Sequence, residues 1–225
     1  MVTHFGIEVD LNQIRAINNL QPPQNPKEVQ KLIGMTAALN RFISWLADRC
    51  RPFFQLLHKW KGFEWIGECS SAFQRLKEYL SQPPIMSKLE EEEVLFTYIA
   101  VASHAVSLVL IRVDDGVQIP VYDVSKSLHE TEVCYLPLEK AILAVVHPTW
   151  KLPHYFQAHT VVVLTQLPLQ SLLQKADYTG RTAKWGTILG DFWYTWYYPF
   201  LSRDMESMSP HWRPSFFCSR KKNHY

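Results

Sequence analysis

The Pro83-Pro84 step divides this 225-residue chain into halves with different hydrophobic periods, which limits it to a helical segment followed by an α/β one. Before the step, apolar residues recur at three- and four-residue spacing. Val29, Leu32, Ile33, Thr36 and Asn40 lie along one stripe of a helix. Asn25 as N-cap, Pro26 in the first position and Glu28 in the third mark its start. Val2 to Val9 reads as a small hairpin around a glycine, and Asp10 as the cap of a short helix carrying Ile14 and Ile17. One helix is expected from about Asp48 to His58, with Pro52 in its first turns. Another is expected over Ser70 to Leu80, where Phe73, Leu76, Lys77 and Leu80 share a face.

Beyond the step, Val94 to Ile99, Ala105 to Arg112 and Ile119 to Val124 are β-prone runs. Asp114-Asp115-Gly116 separates the last two and predicts a tight hairpin, because an Asp-Gly pair accepts the positive φ such turns require. Leu138 to Val146 reads as a buried helix and Thr160 to Leu164 as a buried strand, with helical pieces over Leu169 to Leu173 and Thr182 to Leu189. The fold class expected is α+β or α/β: a helical region, then a mixed sheet with flanking helices. From about Phe192 the aromatic residues crowd without helix or strand period, so residues 191–225 are expected to form a disordered tail.

Apolar residues make up 47% of the chain, enough for real cores, and the net charge of +2 creates no global field for nucleic acid. Any such attraction must come from local patches. Cys50, Cys69, Cys134 and Cys218 show no CxxC spacing, which points to a reducing compartment and no zinc site. No apolar run approaches the roughly 18 residues of a membrane span, and the first residues lack the basic and apolar regions of a signal peptide. A protein of the cytoplasm or nucleus, outside the membrane, is expected.

Three stretches resemble the pol region of gypsy-type LTR retrotransposons, plant ones especially. Gly6-Ile7-Glu8-Val9-Asp10, Gln13 to Ile17, Pro26 to Gly34 and Ala38 to Ile43 look like the passage from the polymerase palm into the thumb. Phe63-Glu64-Trp65, Ala72 to Lys77 and Pro83-Pro84 look like the lead into an RNase H-like domain. Val121 to Leu128, Tyr135 to Lys140 and Ala183 to Gly190 are similar to that domain's later part. The resemblance implies a division into residues 1–60 (end of palm and thumb-like region), 61–190 (RNase H-like domain) and 191–225 (tail). It implies a fragment of a polyprotein, with other parts of that polyprotein as partners. The Tyr-x-Asp-Asp turn of the polymerase does not occur in the sequence, so no polymerase activity is expected. Asp114-Asp115 is read as a hairpin tip.

In active relatives, carboxylates hold two Mg²⁺ ions about 3.5–4 Å apart for hydrolysis. At the corresponding positions this chain has Ala100 in Tyr98-Ile99-Ala100-Val101-Ala102, Ala141 after Glu139-Lys140, and Gln166 after Thr165. Glu139, two residues from Ala141, should point away from it, Asp123 lies on a strand that carries none of the family's ligands, and Glu90 to Glu93 reads as a solvated face. A domain that is not a nuclease and holds no cofactor follows, with Ala100, Ala141 and Gln166 expected to converge at one sheet edge. The connecting role of such domains in related elements implies a structural part in a reverse transcriptase, weakly associated with an RNA–DNA hybrid or primer–template duplex. Lys27, Lys31 and Arg41 are the candidate phosphate contacts, with plain solvation as their alternative. Two rival readings stand beside this one: an active RNase H whose ligands sit elsewhere, and a degenerate product without function.

Overall fold

The computed structural model describes residues 2–3, 6–58, 63–90, 93–169, 173, 181–190 and 194–197. Its architecture is a helical layer on one face of a five-stranded mixed sheet, with further helices on the other face.

The first half follows its local signals. Strands β1 (Val2–Thr3) and β2 (Gly6–Ile7) pair antiparallel. Asp10 caps α1 (Leu11–Asn18) by accepting the Asn12 N–H at 2.9 Å. Asn25 accepts the Glu28 N–H at 3.0 Å and starts α2 (Pro26–Ala38), whose Val29, Leu32 and Thr36 are buried. Asn40 falls outside that helix, in a 3-10 turn, Asn40–Phe42.

The helix expected over Asp48 to His58 is two: α3 (Leu46–Arg49) and α4 (Arg51–His58). The break falls at Cys50, just before Pro52, which has no N–H and suits only a first turn. Trp45, in the left-handed region at φ 58°, turns the chain into α3. Helix α5 (Gly67–Ser81) buries Cys69, Ala72, Phe73, Leu76, Tyr79 and Leu80. Lys77 instead spans its edge, donating to the carbonyls of Asn18 at 2.9 Å and Leu20 at 2.7 Å, which satisfies the C-terminal end of α1.

Strands β3 (Leu95–Val101), β4 (Ala105–Asp114) and β5 (Val117–Ser127) form an antiparallel meander. At the β4–β5 turn Asp115 and Gly116 both have positive φ, 47° and 79°, as a two-residue hairpin needs. Helices α6 (Glu130–Val133), α7 (Pro137–Lys151) and α8 (Pro153–Ala158) cross to β6 (Val161–Leu164), which lies parallel to β3. Helix α9 (Arg181–Gly190) follows. A fifth strand, β7 (Tyr194–Tyr197), then pairs parallel with β6, so the sheet order is β5-β4-β3-β6-β7. The expectation of a structureless tail therefore fails for these four residues. Aromatic and β-branched residues suit a strand once a partner edge exists, and that partner is some 30 residues away. The rest of the tail, and most of Leu169 to Leu173, lies outside the described residues.

Side-chain alternation splits the sheet between two cores. Tyr98, Val109 and Ile111 face the helical layer and join Ile17, Val29, Leu32, Phe53, Phe73, Leu76 and Leu80 in one cluster. On the other face Val106 and Val163 pack with α7 and with Trp185 and Leu189 of α9. Leu95, Leu108, Leu110 and Val161 continue that face under Phe156 of α8. The helical half thus shares its core with the sheet, burying apolar surface that neither could cover alone.

Strand β5 forms the outer edge. Ser87 N–H donates to its Pro120 carbonyl at 2.7 Å, and Arg41 Nη2 donates to the Val121 carbonyl at 3.1 Å.

Candidate site on the sheet

Ala100, Ala141 and Gln166 sit in three different surroundings. Ala100, opposite Ser107 in the β3–β4 register, lines a small cavity on the helical side with Ser44, Trp45, Tyr98, Ser107, Val109 and Asp123. Ala141 is fully buried in α7, in the cluster on the opposite face. Gln166 is exposed just past the end of β6. The expected convergence of these side chains is corrected accordingly. Strand alternation turns residue 100 toward the helical layer, whereas α7 covers the other side.

The acids nearby are engaged in other work. Glu139 Oε2 accepts the Leu136 N–H at 3.0 Å and caps the start of α7, away from Ala141. Glu93 is no simple solvated residue, because it pairs with Arg112 Nη2 at 2.9 Å and both side chains are largely covered. Between Glu139 and Ala141, Lys140 is buried and donates its ammonium to the Ser103 carbonyl at 3.1 Å, just past the end of β3. A fixed positive charge there opposes the binding of a cation. Among the described residues no group of three or more His, Cys, Asp or Glu is placed to hold a metal ion. Cys50 and Cys69 are buried free thiols and Cys134 an exposed one, while Cys218 lies outside the described residues. Burial pushes the Cys50 thiol up to about 12.

From the sequence, Asp123 is set aside as lying on a strand without ligands, and is given no other role. It is 3% exposed on β5, facing α3. Burial holds its carboxyl well above the usual carboxylate range, opposed by the charge of Arg49 and by hydrogen bonds from Ser107 and the Trp45 N–H. The one available signal was an aspartate inside an otherwise apolar strand run, Val121-Tyr122-Asp123-Val124.

Of the candidate phosphate contacts, Arg41 is spent within the fold. Its guanidinium bonds the Val121 carbonyl and the Tyr155 hydroxyl (3.2 Å) and lies 4.8 Å from the centre of the Tyr122 ring. It is corrected from a nucleic-acid contact to a clasp between the halves. Lys27 and Lys31 are exposed on α2, and Gly34 and Ala38 continue their stripe at helical spacing. A Cβ added at Gly34 would meet nothing within 4 Å, so packing within the chain does not require glycine there. Lys31, Gly34, Met35 and Ala38 line an open groove of about 540 Å³ with Asn12, Gln13 and Ala16 of α1.

Residues 65–163 match the RNase H-like domain found in reverse transcriptase. The chain is 26% identical over 205 residues to the retrovirus-related Pol polyprotein from transposon opus of Drosophila melanogaster, covering 85% of this chain and 20% of that protein. It is 24% identical over 182 residues to the transposon Tf2-3 polyprotein of Schizosaccharomyces pombe, covering 76% of this chain and 13% of that one. The chain thus spans about a fifth or less of these relatives. Among solved structures, it is similar in fold to a foamy viral protease-reverse transcriptase in complex with double-stranded DNA (TM-score 0.74, 18% identity, 89% of this chain and 37% of that one). The same holds for a foamy viral protease-reverse transcriptase in complex with an RNA/DNA hybrid (TM-score 0.74, 18% identity, 100% of this chain and 31% of that one).

Proposed function

We propose that this chain, similar over most of its length to retrotransposon Pol polyproteins and matched over residues 65–163 by the RNase H-like domain found in reverse transcriptase, is a non-catalytic connecting segment of such a polyprotein that cradles a nucleic-acid duplex. One observation carries the reading: no carboxylate stands at Ala100, Ala141 or Gln166. Two-metal hydrolysis needs several converging anionic oxygens. Alanine offers none, and glutamine offers one neutral oxygen. Ala100 faces the helical layer and Ala141 is buried in α7 on the other side of the sheet, so among the described residues the two line no common cleft.

The α2 face supports the duplex part of the proposal. Lys27 and Lys31 supply charge for phosphates, and the bare surface at Gly34 and Ala38 lets a sugar–phosphate backbone come close. Foamy viral protease-reverse transcriptases of similar fold are solved in complex with double-stranded DNA and with an RNA/DNA hybrid. With few phosphate contacts the association is weak and salt-sensitive, falling by orders of magnitude from about 50 to 200 mM salt.

Fluorescence anisotropy with a labelled RNA–DNA hybrid tests both parts in one sample. The unmodified chain should bind the hybrid at low salt and leave its RNA intact in Mg²⁺. Replacing Lys27 and Lys31 by alanine should reduce the salt slope by about one per lysine that contacts a phosphate. Mg²⁺-dependent cleavage that copurifies with the chain would end the non-catalytic reading. Unchanged binding in the double variant would end the α2 reading.

A further inference from the structure

Asp123 Oδ1 is buried and has no hydrogen-bond partner among the protein atoms. It belongs to the cavity behind Ala100, whose free space of about 10 Å³ accommodates the centre of one water and little else. The cavity is polar on several sides. Ser107 rises from β4, Ser44 and Trp45 close it from the helical layer, and Ala100 leaves it open by having only a methyl group. The donors around it leave this oxygen without a bond. Ser107 Oγ donates to the Val124 carbonyl at 3.2 Å, and Arg49 Nε donates to the Ser44 carbonyl at 2.7 Å with its guanidinium 4.4 Å from the centre of the Tyr79 ring.

We propose that this cavity is a binding site for a single water molecule, which bonds Asp123 Oδ1 and the serine hydroxyls and so joins α3 to the sheet. Water suits the position in either charge state of the carboxyl, because it donates to a bare oxygen and accepts from a protonated one. A metal ion does not suit it, with one acid in the lining and the Arg49 charge acting on that acid. The site stands apart from any contact with nucleic acid. It also gives residue 100 a local reason to be alanine: a larger side chain displaces the water.

Two substitutions in the full chain separate the water from simple packing. Ala100→Ser places a hydroxyl where the water would sit and can bond Asp123 itself. Ala100→Val fills the space with methyl groups and leaves Oδ1 unpaired. The expected result is a folding equilibrium constant near the parent's for Ala100→Ser and about tenfold lower for Ala100→Val. Water–amide cross-relaxation by NMR, read at the Trp45 N–H, should show a long-lived water in the parent and none in Ala100→Ser. A parent chain without that water overturns the proposal, as does an Ala100→Val variant as stable as Ala100→Ser.

Discussion

Arg41 and Tyr122, 81 positions apart in sequence, meet with the guanidinium carbon 4.8 Å from the ring centre. The same guanidinium holds the Val121 carbonyl and the Tyr155 hydroxyl, so one side chain ties the 3-10 turn after α2 to both β5 and α8. Replacing Arg41 by alanine should cost about 2 kcal/mol, from hydrogen bonds of a charged donor plus a cation–π contact. Lysine keeps the charge but loses the planar fork, so it should restore less than half. Urea unfolding measures both. Because Arg41 is spent inside the fold, binding of a hybrid by the folded variant should match the parent's.

Acid should weaken the fold through His147. Burial, then the nearby charges of Lys151 and Lys126, push this imidazole down to about 4, with Glu132 opposing them. The folded-state value lies below the unfolded one near 6.5, so the unfolded chain binds the proton more readily. The stability this contributes is present above pH 6.5 and is lost as pH falls towards 4. His147→Gln should flatten that part of the profile, measured as denaturant midpoint against pH.

Asp123 works in the opposite direction. Its carboxyl is raised well above its ordinary value, so the folded chain holds the proton more tightly than the unfolded one. Stability should be fullest below the unfolded value near 3.9 and decline as pH rises through the folded one. Asp123→Asn removes that decline, and a variant profile parallel to the parent's would contradict it.

Restoring carboxylates should not restore a nuclease. Ala141→Glu forces a charge into a fully buried position with no partner in place, at a cost of roughly 3–5 kcal/mol. Ala100→Asp aims a second acid at the buried Asp123 inside a small cavity. The triple variant Ala100→Asp, Ala141→Glu, Gln166→Asp should therefore unfold more easily and release no more product from an RNA–DNA hybrid than buffer does. Mg²⁺-dependent cleavage by the triple variant would show that the fold can bring these positions together.

Much of the fold could be read from short stretches because its causes are local. Asp115-Gly116 carries its own turn, Asn25 and Glu28 their own cap, and the β4 run is apolar on both faces because it is central. The failures have distant causes. Tyr194–Tyr197 becomes a strand only because β6 offers an edge, and Arg41 is consumed by carbonyl and hydroxyl groups 80 and 114 residues away. That Ala100, Ala141 and Gln166 carry no carboxylate was legible in the sequence. Their surroundings were not, because Ser44 and Trp45, which close over Ala100, lie more than 50 residues upstream.

The bonds along β5 also bear on how the protein behaves among other chains. A sheet's outer strand offers free N–H and C=O groups on which a stray strand can dock and begin aggregation. Here Pro120 has no N–H to offer, its carbonyl is taken by Ser87, and the next carbonyl is taken by Arg41. Ala47 N–H holds the Ser125 hydroxyl at 3.0 Å further along. That border is blunted by the helical half itself, so cutting the chain near Pro83 would do more than expose a core: it would open a sticky seam.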